Sequence, residues 1–276
     1  MKKILLAFNG RHFSEGAVGF AKALNKKSPI MLTGAFLPQV DYASIFSLWG
    51  GGATGPLLVP LVESEKESSS VRENIRRFEG FCEKLGIEHS VHEDFEDLAI
   101  PTLIRETRFS DLLIIGSETF FHVPGIDDPS EALKDTLHGV ECPVIVVPEE
   151  FDFPHTNILA YDGSSSSVYA IKQFAYLFPE LAVNKTLLIH LSEKEDEELP
   201  ERDNIEELAS RHFRNLSLTN FEKNSKEHLE KWLVGERDTI LVCGAFGRSL
   251  FSRMLRKSFV SDIIKQHQIP VFIAHR

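Results

Sequence analysis

The stretch ILLAFNG, Ile4–Gly10, returns later in the chain as ILAYDG, Ile158–Gly163. Each is an apolar run closed by a glycine turn, and each leads into a segment with small and apolar residues at helical spacing. Ser14 and Ser165 stand where those helices need an N-cap. Downstream the signals keep the same order in both places. IMLTGAFL (Ile30–Leu37) answers to TLLIHL (Thr186–Leu191), DLLIIG (Asp111–Gly116) to DTILVCG (Asp238–Gly244), and CPVIVVP (Cys142–Pro148) to IPVFIAH (Ile269–His275). With one weaker strand in each middle segment, the chain is a tandem duplication of a five-stranded unit.

Apolar strands separated by helical stretches of about 10 to 20 residues predict parallel sheets covered on both faces and joined by right-handed crossovers. Each unit should be a doubly wound α/β domain, the first over residues 1–150 and the second over residues 151–276. The length of 276 residues agrees, against roughly 150 per domain. The linker EEFDFPHT, Glu149–Thr156, is too short to let the halves tumble independently. The final strands, Pro143–Val147 and Val271–Ala274, would each present an unpaired backbone edge if left alone. Pairing them about an approximate two-fold axis removes that hazard and makes an intrachain pseudo-dimer, while a homodimer of whole chains stays open beside it.

With 42% hydrophobic and 26% charged residues, the chain has the composition of a folded protein and not of a disordered one. No window reaches the roughly 18 apolar residues of a spanning helix, and the apolar opening is cut at Asn9 and Gly10, so a cytoplasmic location is expected. Cys82, Cys142 and Cys243 lie far apart without a C-x-x-C pair, which predicts buried, reduced thiols. A net charge of -11 argues against nucleic acid and anionic membrane as partners, so any anion site must be local.

Two segments break the repeat. Tyr42–Leu61 is apolar and glycine-rich; Gly50 and Gly55 have phosphate-loop spacing, but Pro56 and Leu57 stand where lysine and serine or threonine are required. With Trp49 in it, the segment suits a cover or a docking surface for a protein partner, whose identity the residues do not reveal. Glu193–Glu207, with nine acids and two bases, reads as a solvated loop and helix start. His89 and His92 would project to opposite faces of a strand and share no metal.

In an open parallel sheet, ligands sit beyond the carboxyl ends of the strands where strand order reverses, beside strands one and four of each unit. In the second copy those ends carry Asp162-Gly163-Ser164 and Gly244-Ala-Phe-Gly247-Arg248, with nine residues between Gly247 and Lys257-Ser258-Phe259. Glycines admit a close backbone approach, and a helix starting near Ser258 would offer N–H groups to phosphate. The same residues also serve as ordinary turn glycines and helix caps.

These motifs resemble the universal stress protein family in its tandem form over essentially the whole chain. Its members have D-G-S after strand one, then G-x-x-G, nine residues and G-S or G-T before the last helix, and a C-P-V-L-V-V strand. The resemblance implies an adenine nucleotide alpha hydrolase-like fold that binds ATP or another adenine nucleotide, with Mg2+ as companion cation and little or no hydrolysis. Asp162 would hold the ribose beside Gly163, Leu191 would offer backbone to adenine, and Gly244, Gly247, Arg248, Ser258 and Phe259 would surround the phosphates. Lys257 stands where the family has glycine, and either supplies a positive charge or obstructs the loop. Single-domain members resemble dimers joined through the final strand.

The first copy departs further: Asn9 replaces the aspartate, Ser117-Glu118-Thr119 loses the second glycine, and Pro129-Ser130 replaces glycine-serine. Residues 116–148 hold six acids and one lysine, whereas residues 244–276 hold six bases and one aspartate. Phosphate would be repelled from the first loop and drawn to the second. No G-x-S-x-G elbow is present and no nucleophile or base can be assigned, which disfavours an enzyme. The expectation is a stress-response regulator with one nucleotide site in the second copy; the alternative is a nucleotide-free interaction scaffold.

Overall fold

The computed structural model describes residues 1–9, 12–37, 65–93, 99–117, 139–191, 198–221, 238–244 and 269–274. Among them are ten strands and five helices. The first half contributes β1 (Lys2–Asn9), α1 (Glu15–Lys27), β2 (Ile30–Leu37), α2 (Glu65–Leu85), β3 (Glu88–Glu93), α3 (Ala99–Thr107), β4 (Leu112–Gly116) and β5 (Val144–Val147). The second contributes β6 (Thr156–Tyr161), α4 (Ser165–Leu177), β7 (Lys185–Leu191), α5 (Arg202–His212), β8 (Asn215–Phe221), β9 (Thr239–Gly244) and β10 (Val271–Ala274). The weaker middle strands are β3 and β8, and both lie at the outer edges of the sheet.

All ten strands form one sheet in the order β3-β2-β1-β4-β5-β10-β9-β6-β7-β8. Within each half every pairing is parallel, as crossover helices demand. Among the described residues, the one antiparallel pairing is the join, where Ile145 lies opposite Phe272 and is flanked by Val146↔Val271 and Val144↔Ile273. The expected pairing of the final strands is therefore present, and it turns two five-stranded sheets into one.

The sheet is buried on both faces because its strands alternate between two apolar layers. Ile4, Leu6 and Phe8 enter one layer and Leu5 and Ala7 the other. Both layers cross the join: Ile145 and Phe272 share the first, and Val144, Val146, Val271 and Ile273 share the second. Polar contacts reinforce it, since Lys2 Nζ of β1 lies 2.7 Å from Glu180 Oε1 of the second half and 5.2 Å from the centre of the Phe178 ring. The linker is docked too, with the rings of Phe151 and Phe153 tilted against Phe20 of α1 at 5.7 and 5.4 Å.

Three expectations need correction. Ser164, not Ser165, caps α4; its backbone is extended (φ -76°, ψ 152°) and its Oγ accepts from Ser167 N at 3.1 Å, while Ser165 is already helical. The strands are not wholly apolar, for Thr33, Asn157, Thr186, His190 and Thr239 are buried within them. Asn157 is held there by donating to Leu181 O at 2.8 Å and to Thr186 Oγ1 at 3.0 Å. All three cysteines are free, but Cys142 is only partly buried, unlike Cys82 and Cys243. Burial pushes each thiol up to about 12, far from the thiolate. No helix among the described residues is long and apolar enough to cross a membrane.

Candidate functional site

The order within each half places β1 beside β4 and β6 beside β9, the two positions at which strand order reverses. In the second half, Leu159↔Val242 and Tyr161↔His190 set the register, so Gly244, Tyr161 and His190 finish at one level. The next residues along β6 and β7 are Asp162 and Leu191. Asp162, Gly163, Leu191 and Gly244 are thus brought to the carboxyl ends of adjacent strands, whereas Gly247, Arg248, Lys257, Ser258 and Phe259 lie outside the described residues.

The turn after β6 is tightly specified. Asp162 Oδ1 accepts from Ser164 N at 2.8 Å, which folds the carboxylate over the start of α4. Gly163 has φ +76°, a left-handed value natural to glycine, and an added Cβ would fall 2.9 Å from Pro200 Cβ. Pro200 also receives the Tyr161 hydroxyl on its carbonyl at 2.9 Å. Burial, followed by the charges of Glu201 and Asp162, raises the Tyr161 phenol above its ordinary value, so it stays a neutral donor. At Gly244 an added Cβ would lie 2.5 Å from Ser166 C and 2.6 Å from Ser167 N. The close approach seen at this glycine is that of the α4 backbone to the end of β9.

The first half builds the same corner differently. Ser14 caps α1 by accepting from Ala17 N at 3.1 Å, and Gly116 of β4 abuts it as Gly244 abuts α4. Here, however, the Glu149 carboxylate sits at the helix start. Its Oε2 accepts from Gly16 N at 3.1 Å and its Oε1 lies 3.1 Å from His12 Nε2. Burial would raise this acid, but hydrogen bonds from His12, Ser14 and Gly16 outweigh burial and hold it below the usual carboxylate value. The protein's own anion occupies the place where helix N–H groups would receive a ligand's. Two residues beyond its last strand, where the first half has Glu149, the second has Arg276, the opposite charge.

A depressed carboxylate stabilises the fold above its unfolded value, about 4.3, and that contribution is lost as pH falls through the folded value. Glu149→Gln is therefore expected to cost about 1 kcal/mol near neutral pH and progressively less as the solution is acidified. Urea unfolding of both proteins across roughly pH 3 to 7 checks it; a pH-independent difference would show that the charge is immaterial.

Glu149 and His12 were not legible as site residues, because the first lies in the linker and the second in the connection between β1 and α1. His190 carried a signal, a lone histidine at the carboxyl end of an apolar strand. His89 and His92 have separate surroundings: His89 Nδ1 lies 3.1 Å from Ile87 O and His92 Nδ1 lies 2.8 Å from Glu106 Oε2. Among the described residues, no group of three or more His, Cys, Asp or Glu side chains is placed to hold a metal.

The architecture defines a class: paired doubly wound α/β units joined through their final strands. A solved structure of that class, a universal stress protein from Archaeoglobus fulgidus, superposes with a TM-score of 0.69, covering 100% of this chain and 96% of its own. Identity is 15%, so the likeness is one of fold. No family model and no curated protein matches the sequence.

Proposed function

We propose that this chain is a cytoplasmic stress-response regulator of the universal stress protein kind. It binds one adenine nucleotide, ATP, in its second unit (residues 151–276) and hydrolyses it little or not at all; the first unit, residues 1–150, takes none. The observation that carries the reading is the contrast between two equivalent corners: Glu149 closes the first with a carboxylate, while the second combines Asp162, a left-handed Gly163 and a basic sequence downstream. Asp162 holds ribose hydroxyls, Leu191 meets the base, and Gly247, Arg248, Lys257, Ser258 and Phe259 receive the phosphates with Mg2+.

Titration calorimetry with ATP and Mg2+ is expected to give a stoichiometry of one per chain. Gly247→Glu, which adds a carboxylate to the phosphate path, should abolish the signal. Two equal sites would overturn the asymmetry, and no uptake would favour the nucleotide-free scaffold.

A further inference from the structure

His190 is the penultimate residue of β7 and is 5% exposed. Its Nδ1 lies 3.0 Å from the backbone carbonyl of Tyr161. A carbonyl only accepts, so Nδ1 carries the proton, and in the neutral ring Nε2 is left with a bare lone pair. That Nε2 is buried and has no hydrogen-bond partner among the described residues. The polar end of the neighbouring Tyr161 points elsewhere, since its hydroxyl is satisfied by Pro200 O. Buried acceptors without partners are rare in folded proteins, and an unmet one is costly.

The location gives this orphan a meaning. Tyr161 and His190 are register partners on β6 and β7, and each is followed directly by a residue at the candidate site, Asp162 and Leu191. We propose that His190 is a specificity-determining residue of that site, whose Nε2 accepts a hydrogen bond from an N–H donor on the bound nucleobase. The inference rests on the nucleotide reading above and deepens it. A bare acceptor favours a base that presents an exocyclic amine, as adenine does. It disfavours an oxo group at the same position, as in guanine, because two acceptors would face each other in a desolvated place.

The test is calorimetry of the full chain with ATP, with purine riboside triphosphate, which lacks only the amino group, and with GTP. Wild-type protein is expected to prefer ATP over the deamino analogue by about fivefold and to reject GTP more strongly. In His190→Leu the ratio of ATP to deamino analogue should fall to about one. Because the variant alters a buried position, nitrogen-15 spectra of the wild type give a second readout: the His190 Nε2 signal should shift on addition of ATP and not of the deamino analogue. If ATP binds but the ratio is the same in both proteins, or the Nε2 signal does not respond to the amine, a buried water is the partner and this inference falls while the nucleotide reading stands. If no nucleotide binds the wild type, the nucleotide reading falls and takes this inference with it.

Discussion

Phe272→Ala is expected to destabilise the protein by about 3–5 kcal/mol, the range for removing a fully buried phenyl ring. Phe272 is 0% exposed and lies at the centre of the antiparallel join, opposite Ile145. Its ring meets Phe174 edge-on at 5.3 Å and Phe178 at 6.0 Å with an interplanar angle of 88°, so truncation removes two aromatic contacts together with the buried area. Both α4 and the turn that follows it are anchored there, and the cavity would open where the two halves share one core. Phe109→Ala, at a ring 66% exposed, is the control and should change stability little. Urea unfolding of both variants decides the matter; a loss below about 1 kcal/mol at Phe272 would mean that the join relaxes around the gap.

Gly244→Val should abolish nucleotide binding and lower stability by about 1–3 kcal/mol or more, the range for forcing atoms into a packed region. The added Cβ would lie 2.5 Å from Ser166 C, 2.6 Å from Ser167 N and 2.7 Å from Ser166 O. These are backbone atoms in the first turn of a helix, so no side-chain rotation can make room. The start of α4 must move away from the end of β9, and with it the Ser164 cap and the Asp162 turn. Gly19→Ala in α1 is the contrast, because nothing lies within 4 Å of its added Cβ; it should leave stability unchanged or raise it by about 0.5–1 kcal/mol. Circular dichroism melts and ATP calorimetry on both variants separate the two effects. Undiminished ATP binding in Gly244→Val would show that the helix start and the ligand site are independent.

Much of the fold was legible because its signals are local. The apolar runs of β1, β2, β4, β5, β6, β7, β9 and β10 are visible as letters, and their repetition revealed the two halves. The pairing of β5 with β10 followed from edge exposure alone, since each final apolar strand has one edge that its own half leaves unpaired, and the two edges cover each other. Local rules located the Ser14 cap but missed by one residue at α4, where four successive serines offer the same side chain and the Asp162–Ser164 bond selects the cap.

By itself, the sequence determined a duplicated α/β unit, the level at which each half ends its strands, and the charge contrast between the two loops, because periodicity and charge count need no knowledge of partners. The tertiary structure alone decided which anion fills the first corner, what Gly244 touches and that His190 Nε2 lacks a partner among the described residues. Glu149 reaches Gly16 across 133 residues and His190 reaches Tyr161 across 29. Such contacts depend on the sheet's strand order and on the path of the chain beyond each strand, and no spacing within a strand or helix encodes them.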